Sequence, residues 1–129
     1  MSSQPHYNMA QRKLIGEITA VSSLRSSQKI EMYSLMRSSY DNVDRDKFDR
    51  DLSEKKDVIL LRETDQGVIK GFSTLMLLTQ NIDEKETTAL FSGDTIIDKE
   101  YWGTDELPKW WGRYAFSLID TMEGRELYW

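Results

Sequence analysis

The chain has 129 residues, 39% hydrophobic, 30% charged and 11% aromatic, the profile of one soluble globular domain and not of a disordered chain. Its net charge of −5 argues against a protein that grips nucleic acid through its overall field, and the lack of cysteine excludes disulfides, thiolate catalysis and cysteine metal sites. The lone His6 argues against a histidine metal cluster or a catalytic triad. No apolar run approaches the roughly 18 residues of a membrane span. The expectation is therefore a cytoplasmic protein with no metal, no membrane and no nucleic-acid partner.

Residues 1–12 are polar and aperiodic and read as a flexible leader, which leaves residues 13–129 as a single domain. Leu14, Ile15, Ile18, Ala20 and Val21 read as the first strand. Ser27 is placed to cap a helix whose apolar residues Ile30, Tyr33, Met36 and Tyr40 recur at three- and four-residue steps, a face expected on the core. A second helix starts after Asp44, a good N-cap, with Val43 placed to staple onto Phe48. Phe48 and Leu52 give it a narrow apolar stripe. The charged residues between Arg45 and Glu54 read as a solvated face, with a docking patch as the alternative.

The pattern then changes. Val58-Ile59-Leu60-Leu61, the turn Thr64 to Gly67 and the run from Val68 to Thr79 read as a β-hairpin. Gly71 marks a bulge or a close backbone approach in its second strand. A polar loop, Gln80 to Glu86, leads to a third run from Thr87 to Ile97, and short connections make the three an antiparallel meander. After Asp98 comes an aromatic loop with Tyr101 and Trp102. Pro108 suits the first turn of a helix in which Trp111, Ala115, Leu118, Ile119 and Met122 mark one face, with Gly124 just past its end. Arg125 to Trp129 read as a further strand.

The order strand, two helices, three antiparallel strands, loop, helix, strand resembles that of the GNAT superfamily of acyl-CoA-dependent N-acyltransferases. So do Met36 to Tyr40 at a helix end, Val58 to Leu61 followed by Val68 to Phe72, and Asp98-Lys99-Glu100-Tyr101-Trp102-Gly103 ahead of the next helix. The resemblance implies an α/β (α+β) fold with a mixed, mostly antiparallel central sheet and helices on its faces. It implies acetyl-CoA or another acyl-CoA as cofactor and an amine as acceptor. It places the cofactor along Ile96 and Ile97 and at a pyrophosphate loop. Aligned on Gly103, that loop has Asp105 and Leu107 where the family has glycine or alanine. In a shifted frame it supplies Lys109, Gly112 and Arg113 near a helix N-terminus, where backbone N–H groups and the helix dipole favour phosphate. Asp94, Asp98 and Glu100 lie where the family keeps its base, or are ordinary solvated carboxylates. Gly93 marks a bulge that, in this family, splays two strands to admit the cofactor.

Tyr101, Trp102, Trp110 and Trp111 line a cleft or fill space beneath a loop. The family continues beyond its fifth strand, so a chain that stops at Trp129 reads as truncated at that strand, with an edge suited to a homodimer or to strand pairing and with turnover lost. Two functions follow as expectations. The first is an acyl-CoA-dependent N-acyltransferase, whole or as its N-terminal part. The second is a catalytically inactive domain of the same kind that binds a ligand or a partner.

Overall fold

A computed structural model describes residues 13–121 and 126–128. The leader, His6, Met122, Gly124, Arg125 and Trp129 lie outside the described residues. Strand β1 (Leu14–Ala20) leads through a short 3-10 turn into helices α1 (Ser26–Ser39) and α2 (Arg45–Ser53). Strands β2 (Asp57–Glu63), β3 (Ile69–Ile82) and β4 (Lys85–Ile97) follow, then helix α3 (Glu106–Thr121) and strand β5 (Glu126–Tyr128). The sheet order is β1-β2-β3-β4-β5, antiparallel across the first four strands, with β5 added parallel to β4. This is the mixed, mostly antiparallel sheet that the hairpin runs and amphipathic helices lead one to expect.

The unbroken apolar run of β2 follows from burial on both faces. Val58 and Leu60 meet α1 and α2 together with Met32, Leu35, Phe48, Leu52 and Phe72. Ile59 and Leu61 meet α3 with Leu75, Leu90, Leu107, Tyr114 and Ala115. A strand sealed on both sides loses the alternation of a half-exposed one. No helix among the described residues is long and apolar enough to cross a membrane.

Several local expectations are corrected. In α1 the buried residues are Gln28, Met32 and Leu35, with Tyr33 and Met36 packed half-buried beside them as expected, while Ile30 and Tyr40 are 51% and 56% exposed. Apolar side chains surround this helix, so spacing alone does not choose the stripe. Its N-cap is Arg25, not Ser27, and the Gln28 side chain turns back to accept the Arg25 N–H at 2.8 Å. The polar stretch Gln80 to Glu86 is a continuation of β3 and β4 around a two-residue turn, with Asp83 and Glu84 both left-handed (φ 51° and 66°). That is the hairpin geometry that matches strand twist. In α3, Ile119 is exposed and Tyr114 takes the core position. Asp44 caps α2 as expected, accepting the Asp46 N–H, and Phe48 and Leu52 are buried.

Tyr114 also ties α3 to the sheet, its hydroxyl donating to Asp57 at 2.7 Å. Burial, then the hydrogen bond to Asp57 and its charge, push the phenol's pKa above its ordinary value. Folding then favours the neutral phenol, so this contribution is complete below the unfolded value near pH 10 and is lost as pH rises from there toward the folded value. Thermal midpoints measured between about pH 9 and pH 11.5 should fall more steeply in the wild type than in Tyr114→Phe.

Candidate active site

The β3–β4 ladder pairs Ser73 with Thr95 and Leu75 with Ser92, so Thr74 alone stands opposite the two residues Gly93 and Asp94. This is a β-bulge in β4, where Gly93 led one to expect it. It turns Ser92 and Thr95 onto the same face of the sheet, where their hydroxyls and that of Ser73 lie 2.9 Å from one another. Ser73 is fully buried and also accepts the Trp111 indole N–H at 3.2 Å. Helix α3 is thus docked by a polar cluster directly beside the bulge. A second bulge sits at Lys70, where β3 passes from Gly71 to Ile69 while β2 advances by one residue.

Strand β5 pairs with β4 only at Thr87, Thr88 and Ala89. Among the described residues no strand covers the outer side of β4 from Leu90 to Ile97. At the end of this open edge the Asp98 N–H points inward to the Lys70 carbonyl at 2.8 Å. The Ile97 carbonyl, on the other side of the same peptide, points outward. It is met there by the Trp102 indole, which donates at 2.9 Å although Trp102 is 69% exposed. The side chains of Ile96 and Ile97 face opposite layers, Ile96 buried against α1 and α2 and Ile97 half-buried against α3.

The three candidate carboxylates occupy different settings. Asp94 lies in the bulge, half-buried on the face toward α2. The Asp51 carboxylate, and at longer range Asp94, raise the pKa of Lys47 above its ordinary value. Asp98 is engaged locally, accepting the Glu100 N–H at 3.0 Å to cap a 3-10 turn (Lys99–Tyr101) and lying 3.9 Å from the Lys70 ammonium. Glu100 is exposed on that turn, beside a groove of about 460 Å³ bordered by Leu14, Trp102 and Thr104. The structure therefore does not gather the three around one point.

The cofactor candidates do not share one face of the sheet, Ile96 lying on the α1 and α2 side and Ile97 with the residues of α3 on the other. Gly103 has φ +95°, a conformation that side chains rarely adopt, in the loop that reverses the chain ahead of α3. Thr104 caps the helix, its hydroxyl accepting the Glu106 N–H at 3.3 Å. Lys109, in the first turn, lies 3.5 Å from Asp105 and 3.6 Å from Glu106, so these two carboxylates share its charge. Gly112 and Arg113 come a turn later, where backbone N–H groups already serve the helix ladder. Arg113 lies over the Trp110 ring at 4.6 Å. A Cβ at Gly112 would meet nothing within 4 Å, and Gly112 borders a groove of about 440 Å³ with Pro108, Trp111 and Ala115.

The aromatics divide between the two roles foreseen for them. Tyr101 is buried, Trp110 and Trp111 pack against the α3-side core, and Trp102 faces solvent. Sequence spacing gave no sign of Thr74 or of the Ser73, Ser92 and Thr95 cluster, since serine and threonine are ordinary strand residues. The glycine between Ser92 and Asp94 was the available signal. A concavity of about 530 Å³ lies away from all these groups, on the exposed hairpin face with Leu78, Ile82, Ala89 and Phe91. No group of histidine, aspartate and glutamate side chains among the described residues is placed to hold a metal ion.

No family model matches the sequence. No curated protein matches it either. Solved structures do resemble the fold. An acetyltransferase of Trypanosoma brucei superposes with TM-score 0.60 at 12% identity, over 89% of this chain and 82% of its own. Glucosamine-6-phosphate N-acetyltransferase of Arabidopsis thaliana gives TM-score 0.55 at 16% identity, over 88% and 81%. An aminoglycoside N-acetyltransferase solved in complex with CoA gives TM-score 0.58 at 10% identity, over 92% and 78%. The mostly antiparallel sheet with its flanking helices superposes on these structures, and the chain has the GNAT fold.

Proposed function

We propose that the protein is an acyl-CoA-dependent N-acyltransferase acting on an amine. The observation that carries this reading is the edge of β4, bulged at Gly93–Asp94 and, among the described residues, not covered by a strand from Leu90 to Ile97. An open edge offers backbone donors and acceptors to a ligand lying along the strand. The similar structure solved with CoA supports the class of cofactor.

The donor set suits such a ligand in part. The outward Ile97 carbonyl supplies an acceptor, now held by Trp102, and Lys109 and Arg113 supply cations beside the start of α3. When bound, acyl-CoA would supply an acyl group activated as a thioester, whose C–S bond breaks as the C–N bond to the amine forms. Asp94 is the group we assign to take the proton that the amine gives up, because it lies in the bulge and is not spent on a cap. Asp98 keeps the 3-10 turn in place through Glu100 and Lys70. Ile96 and Gly103 frame the two ends of the cofactor path.

Thermal shift with acetyl-CoA and with longer acyl-CoAs, followed by thiol release in the presence of an amine, tests the reading. Absence of any shift and any turnover would refute it. Lys109→Glu should weaken acyl-CoA binding by about tenfold or more, since it replaces a cation by a third carboxylate beside Asp105 and Glu106. The same two carboxylates favour a second reading, a ligand-binding domain without turnover, because they oppose a phosphate at this helix start. A thermal shift without thiol release would select it.

A further inference from the structure

Trp102 is 69% exposed, a costly place for a side chain that gains so much from burial. Its one polar atom is nevertheless committed. The indole Nε1–H donates to the Ile97 carbonyl at 2.9 Å, on the outward side of the β4 edge. Among the described residues no strand lies over this part of the edge, so the indole is what covers that carbonyl.

The backbone beneath the ring is fixed. Asp98 caps the 3-10 turn by accepting the Glu100 N–H, and the Trp102 N–H closes it on the Lys99 carbonyl at 3.2 Å. The turn therefore sets where the side chain starts, and only its two side-chain torsions are left to move it. The ring has somewhere to go. Trp102 borders the groove of about 460 Å³ with Leu14, Tyr101 and Thr104, a volume larger than an indole fills. Gly103 brings no side chain to crowd the rotation, and a Cβ built there would meet nothing within 4 Å.

We infer that the Trp102 side chain is a latch on the β4 edge, holding the Ile97 carbonyl in the free protein and swinging into the groove when acyl-CoA binds along the strand. The hydrogen bond is the main hold, since the ring gains little burial where it lies. A hydrogen bond in contact with water contributes little net stability. The latch therefore lowers affinity by a factor of about two to ten and does not close the edge outright. A ligand gains from opening it only if it returns a donor to that carbonyl. The inference rests on the acyl-CoA reading and adds how the free protein guards the edge.

The test follows the indole N–H signals of the isotope-labelled full chain by NMR, with CoA as a ligand that cannot react. The chain has four tryptophans, and the signal absent from Trp102→Phe belongs to Trp102. At saturating CoA that signal should shift and exchange with water severalfold faster than in the free protein. Trp102→Phe keeps an aromatic ring without the N–H, and Trp102→Ala removes the ring. Both should bind CoA about two- to tenfold more tightly than the wild type, with thermal midpoints within about 3 °C of it. A Trp102 signal unmoved by saturating CoA, or failure of either variant to bind more tightly, would overturn the latch and leave the cofactor reading standing. Binding by the variants but not by the wild type would support it. Absence of CoA binding in all three proteins would overturn the cofactor reading and the latch with it.

Discussion

Asp94→Asn is expected to lower kcat for amine acetylation by about 10²–10⁴-fold, with folding intact. An amine arrives at neutral pH mostly as an ammonium and must shed a proton before its lone pair can attack. A carboxylate held at the reacting edge provides that function, and the amide of asparagine does not. Asp94 sits where the β4 ladder is interrupted, so its backbone is already released from regular pairing and the change leaves the ladder as it was. Asp98→Asn is the informative control. It keeps the Oδ1 that caps the 3-10 turn and loses only the charge facing Lys70, so its effect should be a stability loss of less than about 1 kcal/mol instead of a selective loss of rate. Glu100→Gln, on an exposed turn, should change kcat by less than about threefold. Steady-state rates at saturating acetyl-CoA, set beside melting curves for all three variants, separate the roles. If Asp98→Asn lost the rate and Asp94→Asn kept it, the base would belong at the end of the strand and not in the bulge.

What the sequence revealed of this site follows from the range of the interactions involved. The dense β2 run, the Asp44 cap and the Gly93 bulge are local signals, each written in a few neighbouring residues, and they lead directly to the observed elements. The core face of α1 was legible only in part, Tyr33 and Met36 packing on the core as expected, because Met32 and Leu35 compete with Ile30 for the same helix and only the sheet decides among them. Glu17 and Arg62, 2.6 Å apart, and Lys70 with Asp98 are partners across strands, which spacing along the chain does not show. The same holds for Tyr101 and Trp102. Two adjacent aromatics look alike in the sequence, yet one is buried with its hydroxyl toward Glu63 and the other lies outside, holding the edge of β4.

Gly16→Ala should lower the thermal midpoint by about 8–12 °C, equivalent to ~2–3 kcal/mol, and should also weaken acyl-CoA binding. Gly16 lies in β1, and a Cβ built there falls inside the Trp110 indole of α3. The closeness of helix to sheet at this point depends on the missing side chain, since even one methyl group needs the space the indole fills. Trp110 cannot retreat freely, with Arg113 lying over its ring and its neighbour Trp111 bonded to Ser73. The helix itself must therefore shift. Its first turn carries Lys109 and continues the loop from Trp102 to Asp105, so a movement that begins at β1 reaches the residues proposed to hold acyl-CoA. A double-mutant cycle distinguishes this from general loss of stability. Trp110→Ala alone removes a packed aromatic and is costly, but combined with Gly16→Ala it makes room for the new methyl group. The pair should then be less destabilising than the sum of the single changes by about 1 kcal/mol or more, with acyl-CoA affinity partly recovered relative to Gly16→Ala. Strict additivity would mean that Trp110 and Gly16 do not constrain each other, and that the other contacts of α3, Leu107, Trp111, Tyr114 and Ala115 among them, hold it against the sheet.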